Sequence, residues 1–465
     1  MPIRKLGQRG VHHYLSEFES MSRQEIIDYQ WKRLKHQLKY VWESNPFFRQ
    51  RFEAQGITPD DIKSPEDFSK KIPLMEKKDL ISDQKNHPPY GERLGVPLNK
   101  VVQTHVTSGT SGLGQEVYGC TQADVDRVGA MWALHYYWAG LRRGDAILHC
   151  FPIATMTAGL GTFIGLIQLG ARYFLTAFFD TKTKIEYLKR FDPKAILAVP
   201  AYLTTLTETA KELGYDFRRD FPSLETLIIA AGSYPISWAK DMEETWNAAI
   251  SEQYGSTQVG TGWAVTCEAG VLNEKGDRHL MHILEPFVYV EVLDRQTREL
   301  VKPGEAGELV VTPLEREASP LLRFATSDKV ILRNYDECPC GRPFMGISCG
   351  NIERYDDMIK MKGLNVWPAA IDSVIFDNKE VFDYRGRVFM DNKGKETVVI
   401  SVEFKKGIPS ETKGKLLKTI PTKIQERVGI RMDIEECPPE GIQRIQFKGK
   451  RWVDERVKGL ERKSF

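Results

Sequence analysis

Between residues 146 and 230 the chain carries four short apolar runs, at 146–151, 173–178, 195–199 and 226–230. A strand covered on both faces has no polar side to show, so it reads as a continuous apolar run and not as an alternating one. Stretches of helical spacing, such as 158–169 and 200–213, separate several of these runs. That alternation calls for a parallel sheet with helices packed on its faces. The same pattern is expected to start earlier, with a strand at 101–106 and a helix at 124–138.

One part of this region has a second reading. Residues 146–171 contain no Asp, Glu, Lys or Arg over 26 positions, which is long enough to span a bilayer. His149, Pro152, Gln168 and four glycines interrupt it, so a buried strand, a loop and a helix are the expected outcome. The first twenty residues gain Glu17 and Glu19 where a signal peptide needs an apolar core. No basic amphipathic helix suggests membrane attachment.

The rest of the chain changes texture twice. Near the start, Ile26, Ile27, Trp31, Leu34, Leu38 and Val41 fall at helical spacing over 25–43. Beyond residue 270, the runs 287–294, 308–312 and 330–333 read as antiparallel strands. From about 354 a small α+β unit is expected: a hairpin of 387–391 and 397–404 about Asn392-Lys393-Gly394, a helix at 411–427 and a strand at 431–435. The expected domains are therefore 1–353 and 354–465, joined by a hinge. Lys plus Arg is 65 and Asp plus Glu is 63, a net charge of +2, which does not suit a nucleic-acid binder. Seven cysteines, sparse and odd in number, fit a reducing cytoplasm better than a disulfide scaffold.

The segment Thr107-Ser108-Gly109-Thr110-Ser111-Gly112-Leu113-Gly114 follows the 101–106 run. Its glycines let the backbone approach an anion, and its hydroxyls and free N–H groups supply donors. It lacks the lysine of a Walker loop, and taken alone it reads equally well as a surface loop. Further on stand Tyr254-Gly255-Ser256-Thr257, then 307–312 (GELVVT), 323–328 (RFATSD), 354–360 (RYDDMIK) and Gly441-Ile442-Gln443-Arg444 with Lys448 and Arg451. In this order the segments resemble the adenylate-forming enzymes, the acyl-CoA synthetase and luciferase superfamily. The segments 43–48 (ESNPFF), 313–323 (PLEREASPLLR), 356–368 (DDMIKMKGLNVWP) and 448–454 (KGKRWVD) resemble its phenylacetate–CoA ligase branch, with similarity over residues 30 to 456.

The resemblance implies a fold and a reaction. The fold is α/β: a large N-terminal domain of parallel α/β subdomains plus a distorted antiparallel part, and a small α+β C-terminal domain. The reaction joins a carboxylic acid to ATP, releases pyrophosphate, and passes the acyl group from the adenylate to coenzyme A. An aromatic acid of the phenylacetate or benzoate type is expected. Transfer to a carrier-protein thiol, or a silent nucleotide-binding relative, remain as alternatives. The acid itself is left open, as is the oligomeric state, although a homodimer is common among similar ligases.

Residue by residue, the resemblance implies that Lys448 bridges the carboxylate and α-phosphate during adenylation. Thr107, Ser108, Gly109, Thr110, Ser111 and Gly112 hold phosphate. Tyr254 packs on adenine, Gly255, Ser256 and Thr257 complete its motif, and Ala231, Gly232 and Ser233 close the other side. Asp328 accepts hydrogen bonds from the ribose hydroxyls, and Arg354 binds near ribose or phosphate. Asp356 is the hinge, and Gly363 lines the pantetheine tunnel. Residues 151–161 match the acid-pocket region, so Phe151, Ala158 and Gly159, together with Tyr136, are expected either to wall an aryl group or, for the aromatics, to be ordinary core. Three positions depart from the pattern, one of them Glu353 before Arg354, where the hinge usually reads Gly-Arg. Leu113 stands where a lysine is usual, and Gln258 stands where a glutamate usually contributes to Mg²⁺ binding; an amide oxygen is a weaker ligand for a hard dication.

Cys338-Pro339-Cys340-Gly341-Arg342 pairs two thiols closely. With Cys267 and His282 they would form a closed tetrahedral site of the structural Zn²⁺ type. Similar branch members carry the same CxCGR with an upstream Cys and a His. Cys349 and His279 are alternative ligands.

Overall fold

The computed structural model describes residues 10–107, 114–230, 232–362, 364–391, 394–439, 441–442 and 451–457. Its strands are β1 (Gln103–Val106), β2 (Val117–Cys120), β3 (Ala146–His149), β4 (Arg172–Leu175), β5 (Ala195–Ala198), β6 (Thr226–Ala230), β7 (Ala249–Ser256), β8 (Thr261–Val265), β9 (Leu280–Ile283), β10 (Val288–Leu293), β11 (Ala306–Pro313), β12 (Phe324–Arg333), β13 (Gly346–Ser348), β14 (Glu353–Arg354), β15 (Ile359–Met361), β16 (Leu364–Val366), β17 (Val381–Met390), β18 (Glu396–Phe404), β19 (Asp433–Cys437) and β20 (Trp452–Asp454).

Strands β4, β3, β5, β6 and β7 lie side by side in that order and run parallel. Every residue of β3, β5 and β6 is buried, which is why each is apolar or small except His149, whose Nε2 meets Thr162 Oγ1 (2.6 Å). Helices Gln122–Trp138, Thr157–Leu169 and Pro200–Glu212 cover this sheet. Residues 146–171 are thus β3, a loop and the Thr157–Leu169 helix. Among the described residues no helix is long and apolar enough to cross a membrane.

The sheet does not stop at β7. It continues antiparallel through β8, β9, β13, β12, β11 and β10, so the parallel and antiparallel regions are two halves of one surface. The sequence pattern missed β7, β8 and β9. Strand β7 carries Glu252 and Gln253 in its buried stretch, and these polar residues break the apolar run.

A second difference concerns 101–106. The strand there covers only Gln103–Val106, and it pairs antiparallel with β2 in a separate two-stranded sheet. The Ser/Thr/Gly-rich segment therefore joins two strands of a hairpin. At its neck, the Thr107 N–H donates to the Glu116 carbonyl (3.0 Å), and the Glu116 N–H donates to Thr107 Oγ1 (2.8 Å).

An N-terminal helix, Arg23–Ser44, begins at a capping box of Ser22 and Glu25 and packs Ile26, Leu34, Leu38 and Val41 into the main core. The C-terminal part has a core of its own, built from Met361, Ile371, Tyr384, Ile400, Ile420 and Trp452 among others. There β17 and β18 form the expected hairpin, longer than its apolar pattern, flanked in parallel by β20 and β19. Helices Pro368–Phe376 and Ser410–Val428 complete the unit. Polar pairs connect it to the large part: Ser237 Oγ donates to Asp377 (2.9 Å), and Lys405 and Lys406 pair with Glu208 (3.3 Å) and Glu212 (3.0 Å).

Candidate active site

Two bulges aim side chains out of the central sheet. Between Val310↔Ala325 and Glu308↔Lys329 strand β12 holds extra residues, and Ser327 there has φ 62°. A left-handed, bulged residue re-aims its neighbour, and Asp328 turns into a large cavity. Between Tyr254 and Gly255 the pairing of β7 with β8 also slips. A Cβ on Gly255 would lie 2.2 Å from the Thr261 carbonyl oxygen, so only glycine permits this approach.

The two bulges bring Tyr254 and Asp328 together. The Tyr254 hydroxyl donates to Asp328 Oδ2, and Arg354 Nε lies 3.3 Å from Oδ1. Strand β14 delivers Arg354 by pairing directly opposite Asp328. The Tyr254 ring meets Trp263 edge-on, with centroids 5.2 Å apart. The carboxylate is thus held from both sides, with its orientation fixed.

The cavity, of about 1140 Å³, is lined by Thr107, Phe151, Ala158, Gly232, Ser233, Tyr254, Gly255, Ser256, Thr257, Gln258, Asp328 and Arg354. These come from segments far apart in the chain. Its far wall comes from the C-terminal part, through Lys360 and residues 451–454. Trp132 and Met156 add apolar surface near Phe151.

Two residues expected in the acid pocket lie elsewhere. Tyr136 is fully buried, and its hydroxyl donates to the Thr162 carbonyl (3.0 Å). It stands one helical turn beyond Trp132, and it is Trp132 that reaches the cavity. Gly159 packs against the Pro152 backbone, where a Cβ would come within 1.8 Å of the carbonyl oxygen; its role is close approach, not pocket lining. Ser108, Gly109, Thr110, Ser111, Gly112, Ala231, Gly363 and Lys448 lie outside the described residues. Asp356 sits in the short turn Tyr355–Asp357.

The sequence reading passed over two buried acids on this cavity. Glu116 is 1% exposed and Glu252 is 5% exposed. Glu252 accepts from the Tyr234 hydroxyl (2.5 Å) and from the Gly350 N–H (3.1 Å). Burial pushes its carboxyl up from 4.5 to about 7, against the lowering effect of those donors. Between pH 4.5 and 7 the unfolded chain ionises this group while the folded chain keeps its proton. Folding stability from this residue is therefore lost as pH rises across that window and levels off above it. Glu252→Gln imitates the protonated acid, with Oε1 accepting from Gly350 and Nε2 donating to the Tyr234 hydroxyl. Thermal midpoints at pH 5 and pH 8 should lie closer together in the variant than in the wild type; an equal gap would sink this account.

Away from the cavity, Cys267, His282, Cys338 and Cys340 converge, with their ligand atoms all within 4.8 Å of one another. Cys267 Sγ is 3.4 Å from Cys338 Sγ, and Cys340 Sγ is 3.3 Å from His282 Nε2. His282 Nδ1 faces the Phe344 carbonyl at 3.0 Å, which places the ring proton there and frees Nε2 as a ligand. Cys349 is not part of this group; it lies beside Glu252 and Tyr234. Arg342, next in the CPCGR segment, is fully buried. It pairs with Glu19 (2.8 Å) and Glu268 (2.6 Å) and lies 4.1 Å over Trp138, anchoring the N-terminal helices to the cluster.

Residues 58–313 match the AMP-binding enzyme family, and residues 363–456 match the AMP-binding enzyme C-terminal domain. A phenylacetate–coenzyme A ligase of Aromatoleum evansii is 30% identical over 451 residues, covering 96% of this chain and 98% of that one. One of Thermus thermophilus is 28% identical over 444 residues, covering 92% and 95%. The crystal structure of 2-hydroxyisobutyryl-CoA ligase in the postadenylation state superposes with a TM-score of 0.83 at 25% identity, covering 95% of this chain and 92% of that one. With one family model matching residues 58–313, a second matching residues 363–456, and full-length likeness to acid–CoA ligases, the chain belongs to the AMP-binding enzyme family, in its phenylacetate–CoA ligase branch, and is an AMP-forming acid–thiol ligase.

Proposed function

We propose that the enzyme activates an aromatic carboxylic acid with ATP and transfers it to coenzyme A. The observation that carries this reading is the cavity itself. Its lining joins the Asp328–Tyr254–Arg354 constellation to the apolar side chains Trp132, Phe151, Met156 and Ala158. The first set suits two ribose hydroxyls, since a carboxylate accepts both. The second set suits a flat apolar group joined to a carboxylate. The acyl-adenylate removes the negative charge that shields a carboxylate from a thiol, and makes AMP the leaving group.

In this reading residues 107–112 hold the phosphates, and Gly232 and Ser233 flank the adenine opposite Tyr254. Residues 354–465 act as a mobile domain turning near Asp356, with Gly363 on the thiol's path. The separate core of that domain and its polar junction with the large part support a rigid unit able to rotate. The likeness to a postadenylation structure supports an arrangement that serves the first half-reaction.

Zinc fits the Cys267–His282–Cys338–Cys340 cluster. Tetrahedral zinc with Zn–S bonds of about 2.3 Å sets its sulfurs about 3.8 Å apart, near the separations seen. The four residues would hold it, and it would act as a structural cross-link. A reducing, cytoplasmic setting agrees with seven free cysteines.

A panel of aryl and alkyl acids, assayed for thioester with ATP, Mg²⁺ and CoA, tests the reading. Thioester from an aryl subset is expected. Turnover of short alkyl acids alone would defeat the aromatic assignment. Pyrophosphate without thioester would point to a carrier-protein acceptor. Asp328→Ala is expected to raise the KM for ATP about tenfold or more, the loss of charge-assisted hydrogen bonds, with the KM for the acid little changed. An unaltered KM for ATP would remove Asp328 from the ribose site.

A further inference from the structure

The buried carboxylate of Glu116 is surrounded by donors. Gln258 Nε2 donates to both of its oxygens (3.0 and 3.1 Å), the Tyr118 hydroxyl donates to Oε1 (2.8 Å), and Lys77 Nζ lies 3.3 Å from Oε2. Lys77, Glu116 and Gln258 all line the cavity. Glu116 also closes the neck of the Ser/Thr/Gly loop through its backbone pairing with Thr107.

An anion at that neck repels a triphosphate. Lys77 carries one positive charge against the one negative charge of Glu116, and Gln258 carries none. The pair therefore has no net charge to offer phosphates, and although Arg316 adds a guanidinium on the Gln258 carbonyl, a nucleotide-bound cation would neutralise the phosphates that the pair does not. The donors suit a hard one: amide, hydroxyl and carboxylate oxygens, the set that takes Mg²⁺. Because Nε2 of Gln258 is committed to Glu116, the planar amide turns Oε1 away from the carboxylate. Donation to an anion also draws negative charge onto that amide oxygen.

On the ligase reading above, we infer that Glu116 is the positioning residue of the metal–nucleotide site. It holds the Gln258 amide and polarises it, so that Oε1 offers a nucleotide-bound dication more negative charge than a free amide would. The charge missing at position 258 has been moved to position 116. Gln258 is then half of a working pair, and its lack of charge is no defect.

The test measures nucleotide binding directly, without acid or CoA, so turnover does not enter. Titrations of full-length protein with Mn²⁺·ATP, followed by the Mn²⁺ electron paramagnetic resonance signal, are compared with calorimetry of metal-free ATP. Glu116→Gln should weaken Mn²⁺·ATP binding about tenfold, the scale of one hydrogen bond to a charged group. It should leave metal-free ATP binding equal or tighter, because a repelling anion is gone. A merely structural role would weaken both. The double variant Glu116→Gln/Gln258→Glu rebuilds the same amide–carboxylate pair in reverse and should return Mn²⁺·ATP affinity to within about threefold of wild type. Thermal midpoints confirm that each variant folds. Equal weakening of both nucleotide forms, unchanged Mn²⁺·ATP affinity, or a double variant no better than the single one would overturn the inference while leaving the ligase reading in place. A wild type that binds ATP in neither form would overturn both.

Discussion

Cys267→Ser is expected to release one zinc ion per chain and to lower the thermal midpoint on the order of 5 °C, the consequence of losing one ligand of a structural site in a protein of this size. The site's position in the sheet sets the effect. Cys267 follows β8, His282 lies in β9, and Cys338 and Cys340 lie between β12 and β13. An ion held there cross-links the strand partner of Tyr254 to the strand that carries Asp328. The same segment brings Arg342 to Glu19 and Glu268, so the N-terminal helices depend on it too. His282→Gln should repeat the metal loss, which separates an effect of the ion from that of a buried serine. Metal analysis showing no zinc in wild type, or a midpoint shifted by less than a degree in both variants, would leave four unmetallated side chains and no cross-link.

How far the sequence revealed this molecule depends on where each residue's partner sits. The strands β3, β5 and β6 were legible because burial on both faces makes nearly every position apolar, with His149 and Thr226 at strand ends the exceptions, and that signal is local. The Arg23–Ser44 helix was legible from its periodic apolar face. Strand β7 was not, because Glu252 and Gln253 interrupt its pattern. The cost of burying Glu252 is met by Tyr234 and by the Gly350 amide, which lie 18 and 98 positions away. The strand at 101–106 was given the wrong partner, since a four-residue run does not say whether its neighbour is parallel.

The site divides in the same way. Tyr254, Asp328 and Arg354 were found through resemblance, and the bulges explain why they meet. Neither bulge has a pattern in the sequence beyond Gly255. Tyr136 was placed in the pocket because it is aromatic and could join residues 151–161 in walling an aryl group. On a helix buried all round, aromatic character does not say which residue faces the cavity. Gln258 read as a defect because its partner, Glu116, lies 142 positions away. A departure from a family pattern shows which charge is missing but not where it has gone.

Lys448→Ala is expected to slow acyl-adenylate formation by about 10² to 10³, the range for removing one preorganised charge-stabilising group. Adenylation brings an anionic carboxylate against an α-phosphate, so negative charge concentrates between two groups that repel each other. An ammonium between them offsets that charge. Lys448 stands three residues before Arg451, and residues 451–454 line the cavity. That wall is firmly held: Arg451 Nε donates to Asp383 (2.8 Å), Trp452 Nε1 donates to the Tyr384 hydroxyl (3.0 Å), and β20 runs parallel with β17. In the second half-reaction the carboxylate has already become an uncharged acyl group, so the carboxylate–phosphate repulsion that the lysine offsets is gone. Thioester formation from synthetic acyl-adenylate should therefore stay within a few-fold of wild type while pyrophosphate exchange collapses. Lys450→Ala, two positions on, should leave both within a few-fold. If the two half-reactions fall together in Lys448→Ala, the lysine supports the fold of the small domain and not the chemistry. If Lys450→Ala loses exchange instead, the bridging lysine is Lys450.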